Sequence, residues 1–345
     1  MRILWLSPWV RPIARICTES LRERGAEVML VTSDLHPESD QARDYETILV
    51  GRPVPTKDWI SIPRAYRKAR KFKPDVVVTE MLRDPRWRIF GSLAPRICFR
   101  HDARPHDETH RRQWWIRSFD PWDARAAATV VFSEYVAECM REMGQTRSPI
   151  YVAPLVTDLR PDQVPAFVPA SGRKNFVLIG RQRPYKNHAV IFDAWSRHTQ
   201  GRGWRGDDLV LFGEGDIPVA LPAHTRWNDH DFRYDDIVGE LAAAKGSLVH
   251  SRNASQSGVQ VMSMQLGVAP MVSTAGALGE YQPPGLPVTG IDDTAGLARV
   301  FDALADSAEA EREGAIALEH YRTHYAPGVA ADRLLEIFNL VRGNR

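Results

Sequence analysis

The stretch Val177-Leu-Ile-Gly-Arg-Gln-Arg-Pro-Tyr-Lys186 decides how this 345-residue chain is read. It begins as a short apolar run, stops at Gly180, and carries Arg181 and Lys186 towards a helical period over 189–197. A buried strand that hands over to a helix in this way is the repeating unit of a parallel sheet covered on both faces. Working outward, the same unit recurs. Upstream, apolar runs fall at 3–6, 28–32, 76–79, 97–99 and 130–132, with a helical stretch at 12–24. Downstream, runs at 209–212, 248–250 and 271–273 alternate with helical periods at 235–244, 259–266 and 294–305. The alternation lapses between 154 and 172, where Pro161, Pro165 and Pro169 fall without a period, as in a linker. The expectation is two doubly wound α/β domains, 1–158 and 173–326, joined by 159–172 and followed by a C-terminal helix at 327–345. Ligands of open α/β sheets bind beyond the carboxyl ends of the strands, so functional residues are sought in the loops that follow them.

Composition narrows the classes. Hydrophobic residues make up 43% and charged residues 26%, which is globular rather than disordered. No apolar run reaches the roughly 18 residues of a membrane-spanning helix. The opening residues lack the apolar core and cleavage site of a signal peptide. Cys17, Cys98 and Cys139 form no CxxC pair, so the thiols are expected to be reduced and cytosolic. Net charge is +2, yet residues 1–150 carry 26 Lys and Arg against 20 Asp and Glu, while the rest of the chain is net acidic. A basic first half points to an anionic partner there.

Four loops of the second half are candidates to carry chemistry. In the first, Arg181 and Lys186 converge on a strand mouth and a helix N-terminus, a way to hold a diphosphate; a solvated basic loop has the same composition. Leu211-Phe-Gly-Glu-Gly215 places Gly213 and Gly215 straight after a strand, either for close backbone approach to a ligand or for a tight turn. Ser255-Gln-Ser-Gly258 opens a helix, so Ser257 and Gly258 either leave N–H groups free for phosphate or make a plain cap. After the next strand, Thr274-Ala-Gly-Ala-Leu-Gly-Glu280 brings a carboxylate, Glu280, into the presumed cleft. In the first half, His101 and Asp102 follow a strand, where an imidazole oriented by a carboxylate serves acid–base or electrostatic roles. His101, His106, His110, Asp102 and Asp107 are a weaker metal-site reading, as is Asp229-His-Asp231. Residues 63–73 form a basic helix, and Trp114 and Trp115 lie between arginines; both suit an anionic membrane face, while a solvated helix and buried tryptophans are the plainer readings. No GxGxxG, GxxxxGK[ST] or GxSxG follows a strand, which argues against an oxidoreductase, an NTPase and a serine hydrolase.

Taken in order, GRxxxxK at 180–186, GEG at 213–215, the small-residue turn whose helix ends in MxxG at 264–267, and GxxGE at 276–280 resemble the retaining glycosyltransferases of family 4. Tyr151-Val-Ala-Pro-Leu-Val-Thr-Asp158 is similar to the family segment that leaves the first domain. Phe99-Arg-His-Asp-Ala-Arg-Pro-His106 is similar to the HDxxPH loop of its polysaccharide-assembling branch. The resemblance implies the GT-B fold, two Rossmann-like domains facing across a cleft, with the C-terminal helix packing back on the first. It implies a UDP- or GDP-linked sugar donor on Arg181, Lys186, Gly213, Gly215, Ser257, Gly258 and Glu280. His101 and Asp102 become the catalytic pair, and His106, Trp114 and Trp115 contact a glycan or polyprenyl-diphosphate-linked acceptor. No metal, other cofactor or nucleic acid is expected, and the setting is the cytoplasm, at the inner membrane face, in exopolysaccharide or envelope assembly. Two departures stand out: the family's glutamate pair is replaced by Ala254 and Met262, and the first loop reads Ser7-Pro-Trp-Val-Arg-Pro12 without a double glycine. The alternative they motivate is a catalytically silent sugar-nucleotide-binding subunit.

Overall fold

The computed structural model describes residues 1–49, 61–82, 84–103 and 119–343. The chain divides into two compact units, Met1–Asp158 with Ala326–Arg345, and Leu159–Tyr325.

In the first unit, β1 (Arg2–Ser7), β2 (Glu27–Thr32), β3 (Glu46–Ile48), β4 (Val76–Glu80), β5 (Arg96–Phe99), β6 (Ala128–Val131) and β7 (Ile150–Val152) form one sheet in the order β3-β2-β1-β4-β5-β6-β7. Every neighbouring pair is parallel. The order reverses between β1 and β4, which places a crevice at their carboxyl ends. The core on one side gathers Leu4, Leu6, Met29, Val31, Val77, Trp87 and Phe90. The helix Pro327–Gly343 closes this unit against the helix Arg11–Glu23, where Arg24 pairs with Asp332, and Arg333 Nε donates to the Val152 carbonyl at 3.2 Å.

The second unit holds β8 (Phe176–Ile179), β9 (Leu209–Phe212), β10 (Thr225–Asn228), β11 (Gly246–Val249), β12 (Pro270–Ser273) and β13 (Val288–Thr289), again all parallel, in the order β10-β9-β8-β11-β12-β13. Its reversal falls between β8 and β11. β8, β9, β11 and β12 are buried along their whole length, the burial that continuous aliphatic runs demand. The proline-rich segment is packed onto this unit: Leu159 is in the core with Val177, Val210 and Met262, and Val164 and Val168 lie against it. Buried Arg173 anchors it further, donating to the carbonyls of Ala244 at 3.1 Å and Gly267 at 2.9 Å.

Element boundaries shift where apolarity serves packing rather than pairing. β6 starts and ends earlier than the run at 130–132, because Phe132 lies past the strand with its ring against His101 (centroids 4.8 Å) and Phe99 (5.9 Å). The edge strands β3 and β10, partly exposed and rich in polar residues, give no apolar run to read. No helix among the described residues is long and apolar enough to cross a membrane.

Candidate functional site

In the second unit, β8 ends at Ile179 and turns at Gly180. Lys186 folds back beneath that turn, and its Nζ donates to the Ile179 carbonyl at 2.7 Å. Lys186 is 9% exposed, and burial alone pushes its ammonium down from its ordinary value to about 8. Arg181, by contrast, is exposed at the mouth of the strand. Among the described residues no carboxylate pairs with either cation. A recessed ammonium and a solvent-facing guanidinium at the reversal of a parallel sheet form a place for a charged, two-centred anion.

The frame around these cations is polar and closely hydrogen-bonded. Gln182 is fully buried; its Nε2 donates to the carbonyls of Gly180 (2.7 Å) and Phe212 (3.2 Å), and its Oε1 accepts from His188 Nε2 at 2.9 Å. Burial first, and the Lys186 charge second, push the His188 imidazole down to about 4, so it stands neutral beside the lysine. Asn187, at φ 58°, starts the helix His188–Gln200 and donates to the Ile291 carbonyl at 2.7 Å and to His250 Nδ1 at 3.2 Å. His250 Nε2 in turn donates to the Gly290 carbonyl at 3.2 Å. The loops after β8, β11 and β13 are thereby tied to one another.

Gly213 and Gly215 make room for protein backbone. A Cβ on Gly213 would come 2.8 Å from the Gly180 carbonyl oxygen, and one on Gly215 would come 2.0 Å from that of Gln182. The glycines let the loop after β9 pair with the loop after β8, through the parallel bridge Gln182–Gly215. Asp229 accepts from the Gly215 N–H at 3.3 Å, which gives that carboxylate a structural use. Among the described residues, no three His, Cys, Asp or Glu side chains gather to hold a metal ion.

Ser257 caps the helix Gly258–Gln265, its Oγ accepting from the Gln260 N–H at 3.2 Å. Gly258 stands at the exposed start of that helix, with open space where a Cβ would be. Fully buried Gln260 donates to the Leu278 carbonyl at 3.0 Å and to Gln282 Oε1 at 3.2 Å, and so links the helix start to the turn bearing exposed Glu280. Gln182, Gln260 and Gln282 were not singled out in the sequence. A buried glutamine is a rarity that only burial reveals. Met262, where the family carries a carboxylate, is 1% exposed in the core.

In the first unit, His101 lies just beyond β5, half under Phe132, and its Nε2 donates to Glu80 Oε1 at 2.8 Å. Glu80 is the last residue of β4 and also accepts from Trp5 Nε1 at 3.2 Å. Burial, and then the Glu80 charge, push the neighbouring Cys17 thiol up. Asp102 is half-buried beside His101. Glu80 escaped the sequence reading because it ends an apolar run, where a strand terminus looks like a solvated boundary. His106, Trp114 and Trp115 lie outside the described residues. The basic helix is present as Ser61–Phe72: Ile62, Ala65 and Ala69 face the core, and Arg64, Arg67, Lys68, Arg70 and Lys71 are exposed.

Known proteins bear on both units. The family model of Glycosyltransferase Family 4 matches residues 14–160. No curated protein matches the sequence. Among solved structures, sucrose-phosphate synthase from Thermosynechococcus elongatus is similar with a TM-score of 0.73 at 16% identity, covering 100% of both chains. HepE from Anabaena, in complex with UDP and glucose, gives 0.68 at 14%, covering 99% of this chain and 100% of that one. Trehalose 6-phosphate synthase from Burkholderia multivorans gives 0.65 at 12%, covering 99% and 97%. The chain has the GT-B fold throughout and resembles Glycosyltransferase Family 4, whose model it matches over residues 14–160.

Proposed function

We propose that this protein is a glycosyltransferase that moves a sugar from a nucleotide diphosphate donor, UDP- or GDP-linked, to a hydroxyl of a glycan or lipid-linked glycan, with retention. The observation that carries this reading is the pair Arg181 and Lys186 at the reversal of the second sheet, one exposed, one recessed, and neither paired with a carboxylate among the described residues. The family match and the UDP-sugar complexes of similarly folded HepE support it. On this reading the two cations, aided by the first-turn N–H groups of the helix Gly258–Gln265, neutralise the departing diphosphate without a metal. The diphosphate itself helps to take the acceptor proton, and His101 stabilises the charge that develops on the sugar.

The deciding experiment is a thermal-shift screen of the wild type and Arg181→Ala with UDP, GDP, ADP and their sugars. A ligand at a hundred times its Kd adds about 2.7 kcal/mol to the folded state, a shift readily seen. The expected result is stabilisation by one nucleotide family that weakens in Arg181→Ala; no shift with any nucleotide sinks the reading. Proton NMR of the product's anomeric centre, with EDTA present, then checks retention and independence of metal. A silent sugar-nucleotide-binding subunit is the second reading, favoured by Ala254 and by the core placement of Met262. It expects the same binding with no turnover.

We place the acceptor on the first unit, lipid-linked, in exopolysaccharide or envelope assembly at the inner membrane face, on the strength of the exposed cations of the helix Ser61–Phe72. Each such cation contributes about 1 kcal/mol near an anionic surface, within a Debye length. Flotation with anionic liposomes should therefore succeed at low salt, weaken at high salt, and weaken further when Arg64, Arg67, Lys68, Arg70 and Lys71 are replaced together.

A further inference from the structure

We propose that Glu80 is a positioning residue that fixes which ring nitrogen of His101 carries the proton, and that transfer depends on that tautomer. This deepens the transferase reading above and rests on it. Glu80 is 1% exposed, and both of its carboxylate oxygens are engaged: Oε1 by His101 Nε2 at 2.8 Å and Oε2 by Trp5 Nε1 at 3.2 Å. The three residues come from neighbouring positions in the sheet, Trp5 from β1, Glu80 from the end of β4, and His101 from just beyond β5. An indole N–H donates and never accepts. A carboxylate is the side chain that can accept from both neighbours at once, so in the neutral imidazole the proton sits on Nε2 and Nδ1 is the lone-pair nitrogen. The His101 side chain is 13% exposed and its ring packs 4.8 Å from that of Phe132, so packing and hydrogen bond hold one orientation. Nδ1 is then the nitrogen the ring has left for a substrate.

Replacing Glu80 by glutamine tests this without changing shape. The amide has one accepting end and one donating end. Trp5 takes the oxygen, because its N–H facing an amide N–H would oppose two donors. The NH2 then points at His101 Nε2, which must become the lone-pair nitrogen, and the proton moves to Nδ1. Long-range proton–nitrogen correlation NMR of the imidazole reads the tautomer without reference to activity.

The expected result is Nε2–H in the wild type and Nδ1–H in Glu80→Gln, with little change in the donor KM. A wrongly tautomerised histidine costs about 10⁴-fold where it is the general base, and a drop in kcat of about 10²-fold or more is expected here. Adding Trp5→Phe to Glu80→Gln removes the competing donor, lets the amide oxygen turn to His101, and should restore Nε2–H with part of kcat. An unchanged tautomer in Glu80→Gln overturns the proposal at any level of activity. So does a switched tautomer with unchanged kcat, and so does a double variant that regains Nε2–H without regaining turnover. A wild type that turns over no nucleotide sugar while its tautomer switches as described overturns the transferase reading, and the dependence of transfer on Glu80 with it.

Discussion

β1 and β8 occupy corresponding places in their sheets, each at the strand reversal, and each is followed by a segment that delivers cations into the fold. What becomes of those cations differs. After β1, Arg11 is 1% exposed and donates to Glu46 at 2.8 Å and to Asp34; Arg15 donates to the same Glu46 at 2.9 Å and to Asp40. Burial opposes ionisation of Glu46, but hydrogen bonds from Arg15 and Arg11 outweigh it and hold the carboxyl below the usual range. After β8, the Lys186 ammonium donates to a backbone carbonyl and meets no carboxylate among the described residues, and burial weakens it to about 8. A buried cation matched by carboxylates is consumed in holding the fold together, whereas one left unmatched is stabilised only when an anion arrives. The cations after β1 are therefore structural, and those after β8 keep the unmatched charge that the proposed anion site needs.

This contrast can be broken from either side. Glu46→Ala strips the main partner from two buried arginines, and removing one member of a buried ion pair costs about 3–5 kcal/mol. Urea unfolding should show a loss of that order, with nucleotide affinity at the second unit unchanged. Because the Glu46 carboxyl is depressed, its contribution is complete above the ordinary carboxyl range and disappears as pH falls through its folded value. Lys186→Met should do the opposite. It removes an unmatched buried charge, so the melting temperature should hold or rise. Loss of a charged hydrogen bond of about 1.5–3 kcal/mol should raise the nucleotide Kd tenfold or more by calorimetry. A large fall in stability with unchanged affinity would reverse the assignment of the two segments. The smallest effect is one of pH. The Lys186 ammonium is intact below about pH 8 and lost above it, so affinity should be flat through neutrality and decline between about 8 and the ordinary lysine value. The same titration in Lys186→Met should lose that decline.

Much of the fold is legible because it rests on local pattern. Aliphatic and β-branched runs separated by helical periods leave few alternatives to a parallel sheet, and the positions of β1, β2, β4, β5, β8, β9, β11 and β12 follow from them. β3 and β10 are missed because edge strands need no continuous apolar run. Part of the site is legible too. Arg181 and Lys186 stand out by their place behind a strand end, but Arg11 and Arg15 are similarly placed behind β1, and only the carboxylates around them show that their use is structural. The role of Gly213 and Gly215 is visible only once their contact with Gly180 and Gln182 is known, some thirty residues away in the chain.

By itself, the sequence determined two α/β halves and a cationic loop where the second half begins, because hydrophobic period and charge spacing act over a few residues. Tertiary structure decided the rest. It recessed Lys186 under a carbonyl and left Arg181 in solvent, a difference in burial that spacing does not encode. It joined the proline-rich segment to the second unit through Leu159 and Arg173. It also set Glu80 between Trp5 and His101, since the pairing of β1, β4 and β5 brings together side chains separated by 75 and 21 positions. A donor and an acceptor so far apart in sequence leave no local mark, and only the register of the strands makes them partners.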